Sequence, residues 1–250
     1  MTLQNDWRSL CATLFPHGHT VQEDADLLWG EGQCGEHTLA VLGTCNHAEI
    51  GAQLALRQAR AVLTLIREHP RRPLLLLVDT VGQRLRQREE LLAINGYMAH
   101  LAKCVQLARE QGHVVLALVY QQALSGGFLS TGLMADQCFA LPQALIRVMD
   151  LQAMARITKI PLEQLQQLAS QNPVFAPGAE NYWRMGGLQA LWQDDLANAL
   201  QQALQQALAQ SGVQTAAADQ RAALGAARGG RTLAQQVIDA VLQEDCDAAP

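Results

Sequence analysis

Leu74-Leu75-Leu76-Leu77-Val78-Asp79-Thr80-Val81-Gly82 is a continuous apolar run that closes on an acid, a hydroxyl and a glycine. A strand with one face in water alternates apolar and polar residues. A run without alternation reads as a strand covered on both faces, as in a parallel sheet layered between helices. Thr38 to Cys45 (TLAVLGTC) and Val114 to Tyr120 (VVLALVY) read the same way, and Gln137 to Leu141 is a shorter candidate. An earlier pair of strands is expected between Val21 and Cys34, around Leu27-Leu28-Trp29. Helical patterns fill the gaps. Glu49 to Glu68 sets Ile50, Leu54, Val62, Leu65 and Ile66 near a 3.6-residue period, then stops at His69-Pro70, because the residue before proline avoids helical dihedrals. Glu90 to Gln111 repeats the pattern, with Gly112 where a left-handed C-terminal residue is expected. The alternation predicts an α/β chain with a mostly parallel sheet, its strand–helix unit recurring as the turns of a spiral would.

Beyond Asp150 the strand signal fades. Pro161 to Ser170 reads as a helix with proline in its first turn, and Asn172 to Asn181 as a loop. Leu196, Leu200, Leu204 and Leu208 form an i, i+4 stripe, too narrow for a deep core and suited to a helix laid on the domain or on a partner. Gly225, Gly229 and Gly230 break the chain before an amphipathic stretch, Leu233 to Leu242, and the end from Asp245 to Pro250 is predicted to be disordered. The resulting division is an N-terminal extension over 1–20, an α/β domain over 21–192 and a C-terminal helical segment over 193–250.

Composition removes several functions. With 250 residues and 49% apolar content, one large domain with a sizeable core is affordable. A net charge of -5 with no basic stripe argues against nucleic acid. Met1 to Asp6 lacks the pattern of a signal peptide, and Pro73 to Val78 is too short to span a bilayer, so a cytoplasmic chain without a membrane partner is expected. None of the six cysteines forms a C-x-x-C pair, and His17-Gly18-His19 has no carboxylate at ligand spacing. Reduced core thiols and no metal are the expectation.

Chemistry concentrates at two strand ends. Ser125-Gly126-Gly127 follows the Val114–Tyr120 run and precedes an apolar segment. Glycines permit close approach of the backbone to a ligand, and the first N–H groups of a helix are unpaired and electropositive. Gly126 and Gly127 are therefore candidate backbone donors to an oxyanion, with Ser125 beside them as a substrate contact. A plain strand-to-helix turn explains the same residues. Asp79-Thr80-Val81-Gly82 lies where ligands gather in parallel sheets, at the carboxyl end of a strand. Gly82 is a possible second donor and Thr80 a substrate contact; alternatively Asp79 simply caps the turn. A G-x-S-x-G elbow would need glycine at Ala123, and neither a dinucleotide fingerprint nor a P-loop is present. Glu89 and Glu90 suit a helix start, with an acid/base role as the sharper alternative.

Pro73 to Gln83 followed by Arg88-Glu89-Glu90-Leu91, and later Leu118 to Asp136 (LVYQQALSGGFLSTGLMAD), resemble the carboxyltransferase branch of the crotonase superfamily. Val81 stands where that branch has proline, and Gln122 and Ala123 where it has an earlier glycine pair. Within the branch, the chain resembles malonate decarboxylase gamma subunits. The likeness runs from about Leu27 to Trp192 and is carried by Glu89-Glu90-Leu91-Leu92, Ala99 to Lys103, Ala153 to Lys159 and Val174 to Gly178. The resemblance implies a crotonase-like spiral of strand–strand–helix units with additional C-terminal helices. It also implies a beta subunit of similar fold as partner, with the active site completed across the interface. The substrate would be a malonyl thioester on an acyl carrier protein bearing a CoA-like prosthetic group, decarboxylated to the acetyl thioester. No cofactor held by this chain itself is implied, and the single chain is expected to be inactive. A biotin-dependent carboxyltransferase, a non-catalytic scaffold for the beta subunit and a lone acyl-CoA hydratase or isomerase are the rivals; the last lacks an acid/base pair after the glycine turn.

Overall fold

A computed structural model of the chain describes residues 6–149, 151–171, 177–211, 219–230 and 232–247. The strands are β1 (Gln22–Asp24), β2 (Leu27–Cys34), β3 (His37–Thr44), β4 (Ala48–Ile50), β5 (Leu74–Gln83), β6 (Val115–Leu124), β7 (Gln137–Ala140), β8 (Leu145–Arg147) and β9 (Ala190–Leu191). The helices are α1 (Trp7–Leu14), α2 (Ala52–Glu68), α3 (Gln87–Leu91), α4 (Ile94–Glu110), α5 (Ser125–Leu129), α6 (Leu151–Thr158), α7 (Leu162–Gln171), α8 (Ala179–Arg184), α9 (Leu196–Ser211), α10 (Arg221–Ala227) and α11 (Thr232–Asp247).

The strands lie in the order β1-β2-β3-β5-β6-β7-β9, with β4 added to β5 and β8 to β6. β1, β2 and β3 are antiparallel neighbours, and every other pairing is parallel. The two long strands do double duty. The first half of β5 pairs with β3 and its last residues with β4; β6 pairs first with β7 and then with β8. Each spiral turn is thus two strand segments followed by helix, as the crotonase-like expectation requires. The two central strands were predicted too short: β6 runs on to Leu124, and Asp79 to Gly82 is not a turn closing a strand, because β5 continues to Gln83.

Both faces of the sheet are covered, which is why β5 and β6 do not alternate. Leu75, Leu77, Leu116, Leu118 and Tyr120 face a core shared with α1 and α9, while Leu74, Leu76, Val78, Val115, Ala117 and Val119 face one shared with α2 and α4. The C-terminal leucine stripe lies deeper than its width suggested. Leu196, Leu200 and Leu204 are all at most 2% exposed, because α1 supplies Leu10, Cys11 and Leu14 to the same core. α1 itself, inside the stretch read as an extension, was missed, as were β4, β8 and α6. Gly225 does not break the chain: it is buried within α10, where an added Cβ would come 2.5 Å from the Met185 carbonyl oxygen. α11 runs to Asp247, into the stretch predicted to be disordered, while residues 248–250 and most of the Val174–Gly178 block lie outside the described residues. Among the described residues no helix is long and apolar enough to cross a membrane.

Candidate active-site edge

The site is organised by a break in the β5–β6 ladder. Val78 pairs with Val119 and Thr80 with Ala123, so Asp79 alone faces Tyr120, Gln121 and Gln122. A break of this kind strands backbone N–H groups inside the protein, where an unpaired donor is costly. The Asp79 carboxylate, 2% exposed, answers it. It accepts the Gln122 N–H at 3.2 Å, the His47 N–H at 2.8 Å and a hydrogen bond with His47 Nδ1 at 2.8 Å. Asn46 and His47 both carry positive φ, 58° and 52°, and the carboxylate holds this turn between β3 and β4. Asp79 therefore ties three chain segments together, which exceeds the local cap read from sequence. The half-exposed His47 ring was not picked out by sequence reasoning; its signal, a left-handed Asn-His pair after a strand, is visible only once the 32-residue separation from Asp79 is closed.

Thr80 points to the opposite face and is fully buried. Its hydroxyl donates to the Ala48 carbonyl at 2.7 Å and accepts the Gly82 N–H at 3.0 Å. Gly82 has φ of 96°, a conformation that glycine adopts without strain, and its neighbours in space are the Leu124 carbonyl and the Ser125 side chain. The structure thus brings the two predicted segments together at the carboxyl edge of adjacent parallel strands.

Ser125 opens α5, as the reading of a helix after the third strand requires, but the sharp bend is made by Ser125 itself, with φ of 49°, and not by the glycines. The glycines serve close approach. A Cβ on Gly127 would stand 2.9 Å from Thr80 Oγ1 and 3.1 Å from Gly82 Cα; one on Gly126 would stand 2.9 Å from Gln83 Oε1. The donors are largely engaged within the chain. Gly126 N–H donates to Gln83 Oε1 at 3.1 Å, and Gly82 N–H to Thr80, while no acceptor is found for Gly127 N–H among the described residues. Gln83, which sequence reasoning also passed over, sits where an oxyanion bound to Gly126 would be.

Glu89 lies in the first turn of α3, as its sequence suggested, yet its carboxylate serves another helix. It is 4% exposed and accepts the Ala52 N–H at 2.7 Å, capping α2, whose own N-cap residue is Gly51. The five described cysteines are buried free thiols, and burial pushes Cys11, Cys45 and Cys138 up to about 12. No metal-binding cluster occurs among the described residues. Near the edge several apolar side chains are exposed among charged ones: Leu85 and Leu91 after β5, Leu129 at the end of α5 and Val148 after β8 are 74%, 80%, 50% and 61% exposed, with exposed Arg86 and Arg88 between the first two.

Residues 45–245 match the model of the malonate decarboxylase gamma subunit family. A curated relative, the malonyl-S-ACP:biotin-protein carboxyltransferase MADD of Malonomonas rubra, is 32% identical over 178 residues, which is 67% of this chain; the chain spans 60% of that relative. Among solved structures, a Pseudomonas malonate decarboxylase hetero-tetramer in complex with coenzyme A superposes with a TM-score of 0.74 at 26% identity, over 94% of this chain and 97% of that one. The Pseudomonas malonate decarboxylase MdcD-MdcE hetero-dimer gives 0.68 at 26% identity, over 89% and 92%. With the crotonase-like spiral and the paired strand-end motifs in place, the match over most of the sequence is decisive: this chain belongs to the malonate decarboxylase gamma subunit family.

Proposed function

We propose that the chain forms, with a beta subunit of similar fold, the site at which a malonyl thioester on an acyl carrier protein loses CO₂ to leave an acetyl thioester. In that reaction the bond to the leaving carboxylate breaks, its electron pair moves into the thioester carbonyl as an enolate, and a proton replaces CO₂ at carbon. The developing enolate oxygen calls for aimed donors and a site screened from water. The observation that carries the reading is the state of the edge: its Gly82 and Gly126 donors are answered by Thr80 and Gln83 within the chain, and Leu85, Leu91, Leu129 and Val148 are left exposed on the segments leaving it. Such an edge is half of a site. On this reading the partner holds the enolate oxygen, and Ser125 and the Gly126-Gly127 turn shape the wall opposite, with Thr80 buried behind them as a support and not, as expected from sequence, a substrate contact. Gly127 N–H is the donor left for the substrate, and the chain alone is inactive.

A second reading has one specific observation in its favour. The Malonomonas rubra relative is named for transfer to a biotin protein, so carboxyl transfer from the malonyl thioester to biotin uses the same edge. Affinity purification of the tagged chain from its native cell separates the two. Co-isolation of a crotonase-fold subunit and an acyl carrier protein, with nothing that binds streptavidin, supports decarboxylation. A stoichiometric biotinylated protein supports carboxyl transfer, and isolation of the chain alone would refute both.

A further inference from the structure

β8 ends on Arg147, which stands opposite Leu124 in the β6–β8 register, one residue before Ser125. Its Nε is buried without a hydrogen-bond partner, and no carboxylate pairs with its guanidinium among the described residues. Two other arginines at this edge have an acidic partner: Arg84 and Arg86 share Glu49 at 3.3 Å and 3.1 Å, although Arg84 Nε, like Arg147 Nε, makes no hydrogen bond. Arg147 as a whole is half-buried, so part of its guanidinium stays open to a ligand while Nε does not. A buried N–H without an acceptor costs free energy, and a charged one costs more. Of its neighbours in sequence, Ile146 is fully buried in the core beneath the sheet and Val148 is exposed. A cation kept at the carboxyl edge of the strand beside the glycine turn has the position and the unspent donors to receive an anion.

We propose that Arg147 is an anion-binding residue of this site, taking a carboxylate or phosphate oxyanion that the thioester ligand brings to the ends of β6 and β8. The inference rests on the malonyl-thioester reading, which supplies two sources of such an oxyanion: the free carboxylate of the malonyl group and the phosphates of a CoA-like arm. Two probes separate them, because malonate has carboxylates and no phosphate, while coenzyme A has phosphates and no carboxylate. The complex with the beta subunit is titrated with each, in the wild type, Arg147→Gln and Arg147→Lys, with melting temperature and subunit stoichiometry measured alongside. Arg147→Gln is expected to weaken one probe about tenfold or more and leave the other unchanged, with Arg147→Lys in between; a guanidinium with a purely structural role would move both probes equally or neither. Loss of malonate assigns the carboxylate, and loss of coenzyme A the phosphate. Wild-type affinity for both probes in the Arg147→Gln complex overturns the proposal, as does a wild-type complex that binds neither. Turnover of the malonyl thioester by the wild-type complex is scored separately, so a complex that binds the probes through Arg147 but releases no CO₂ rejects the functional reading and keeps the anion site.

Discussion

At the residue scale, the edge is held by a few interactions between distant segments. Asp79→Ala removes the acceptor of the Gln122 and His47 backbone N–H groups, both at a fully buried carboxylate. Each stranded donor costs about 1–3 kcal/mol, so a large fall in the urea midpoint is expected, and a melting temperature within error of wild type would remove Asp79 from its tie role. Gly127→Ala places a methyl 2.9 Å from Thr80 Oγ1, which is itself anchored on Ala48. Overpacking of this kind costs about 1–3 kcal/mol, and the loss should appear as lowered stability of the free chain before any assay of activity. An unchanged melting temperature would show the turn to be looser than its geometry. The position of the edge was legible, because an acid, a hydroxyl and glycines interrupt the apolar runs of β5 and β6 near their carboxyl ends. Their partners were not: Gln83 meets Gly126 and His47 meets Asp79 across 43 and 32 residues, and no local pattern encodes such a pairing.

At the scale of elements, the periodicity identified β3, β5, β6, β7, α2, α4, α7, α9 and α11, since each carries a continuous pattern, while α10 was hidden by Gly225, read as a break. β4 and β8 escaped because three residues are too few for a period to show. The leucine stripe of α9 was read as shallow because sequence does not reveal that α1 packs over it. Leu200 and Leu204 are 0% and 1% exposed. Leu200→Ser and Leu204→Ser each leave a cavity and bury a hydroxyl; the apolar truncation alone costs about 2–5 kcal/mol at such sites. Either variant is expected to unfold at clearly lower denaturant than wild type, and wild-type stability of the double variant would place α9 outside the core. At the far end, α10 docks through glycine. Gly186 would put a Cβ 2.0 Å from the Arg221 carbonyl oxygen, while Arg228 donates to the carbonyls of Trp183 and Leu188, each at 2.7 Å.

At the scale of the whole molecule, the core imposes a pH signature. Burial raises the thiols of Cys11, Cys45 and Cys138 from 9.0 to about 12. The unfolded chain ionises these groups first as pH rises, so between 9 and 12 it binds fewer protons than the folded chain, and stability falls with rising pH across that window. Below 9 the contribution is complete. The urea midpoint at pH 10 should lie below that at pH 7.5, and iodoacetamide at pH 8 should spare these three thiols until the chain is denatured. Rapid native labelling of any of them would contradict the packed core. The central claim concerns assembly. The direct measurement is release of labelled CO₂ from a carrier-bound malonyl thioester by the purified chain, by its beta subunit and by the two together. The account predicts release only from the combination, at a rate that follows complex formation. Steady release by this chain alone would contradict it.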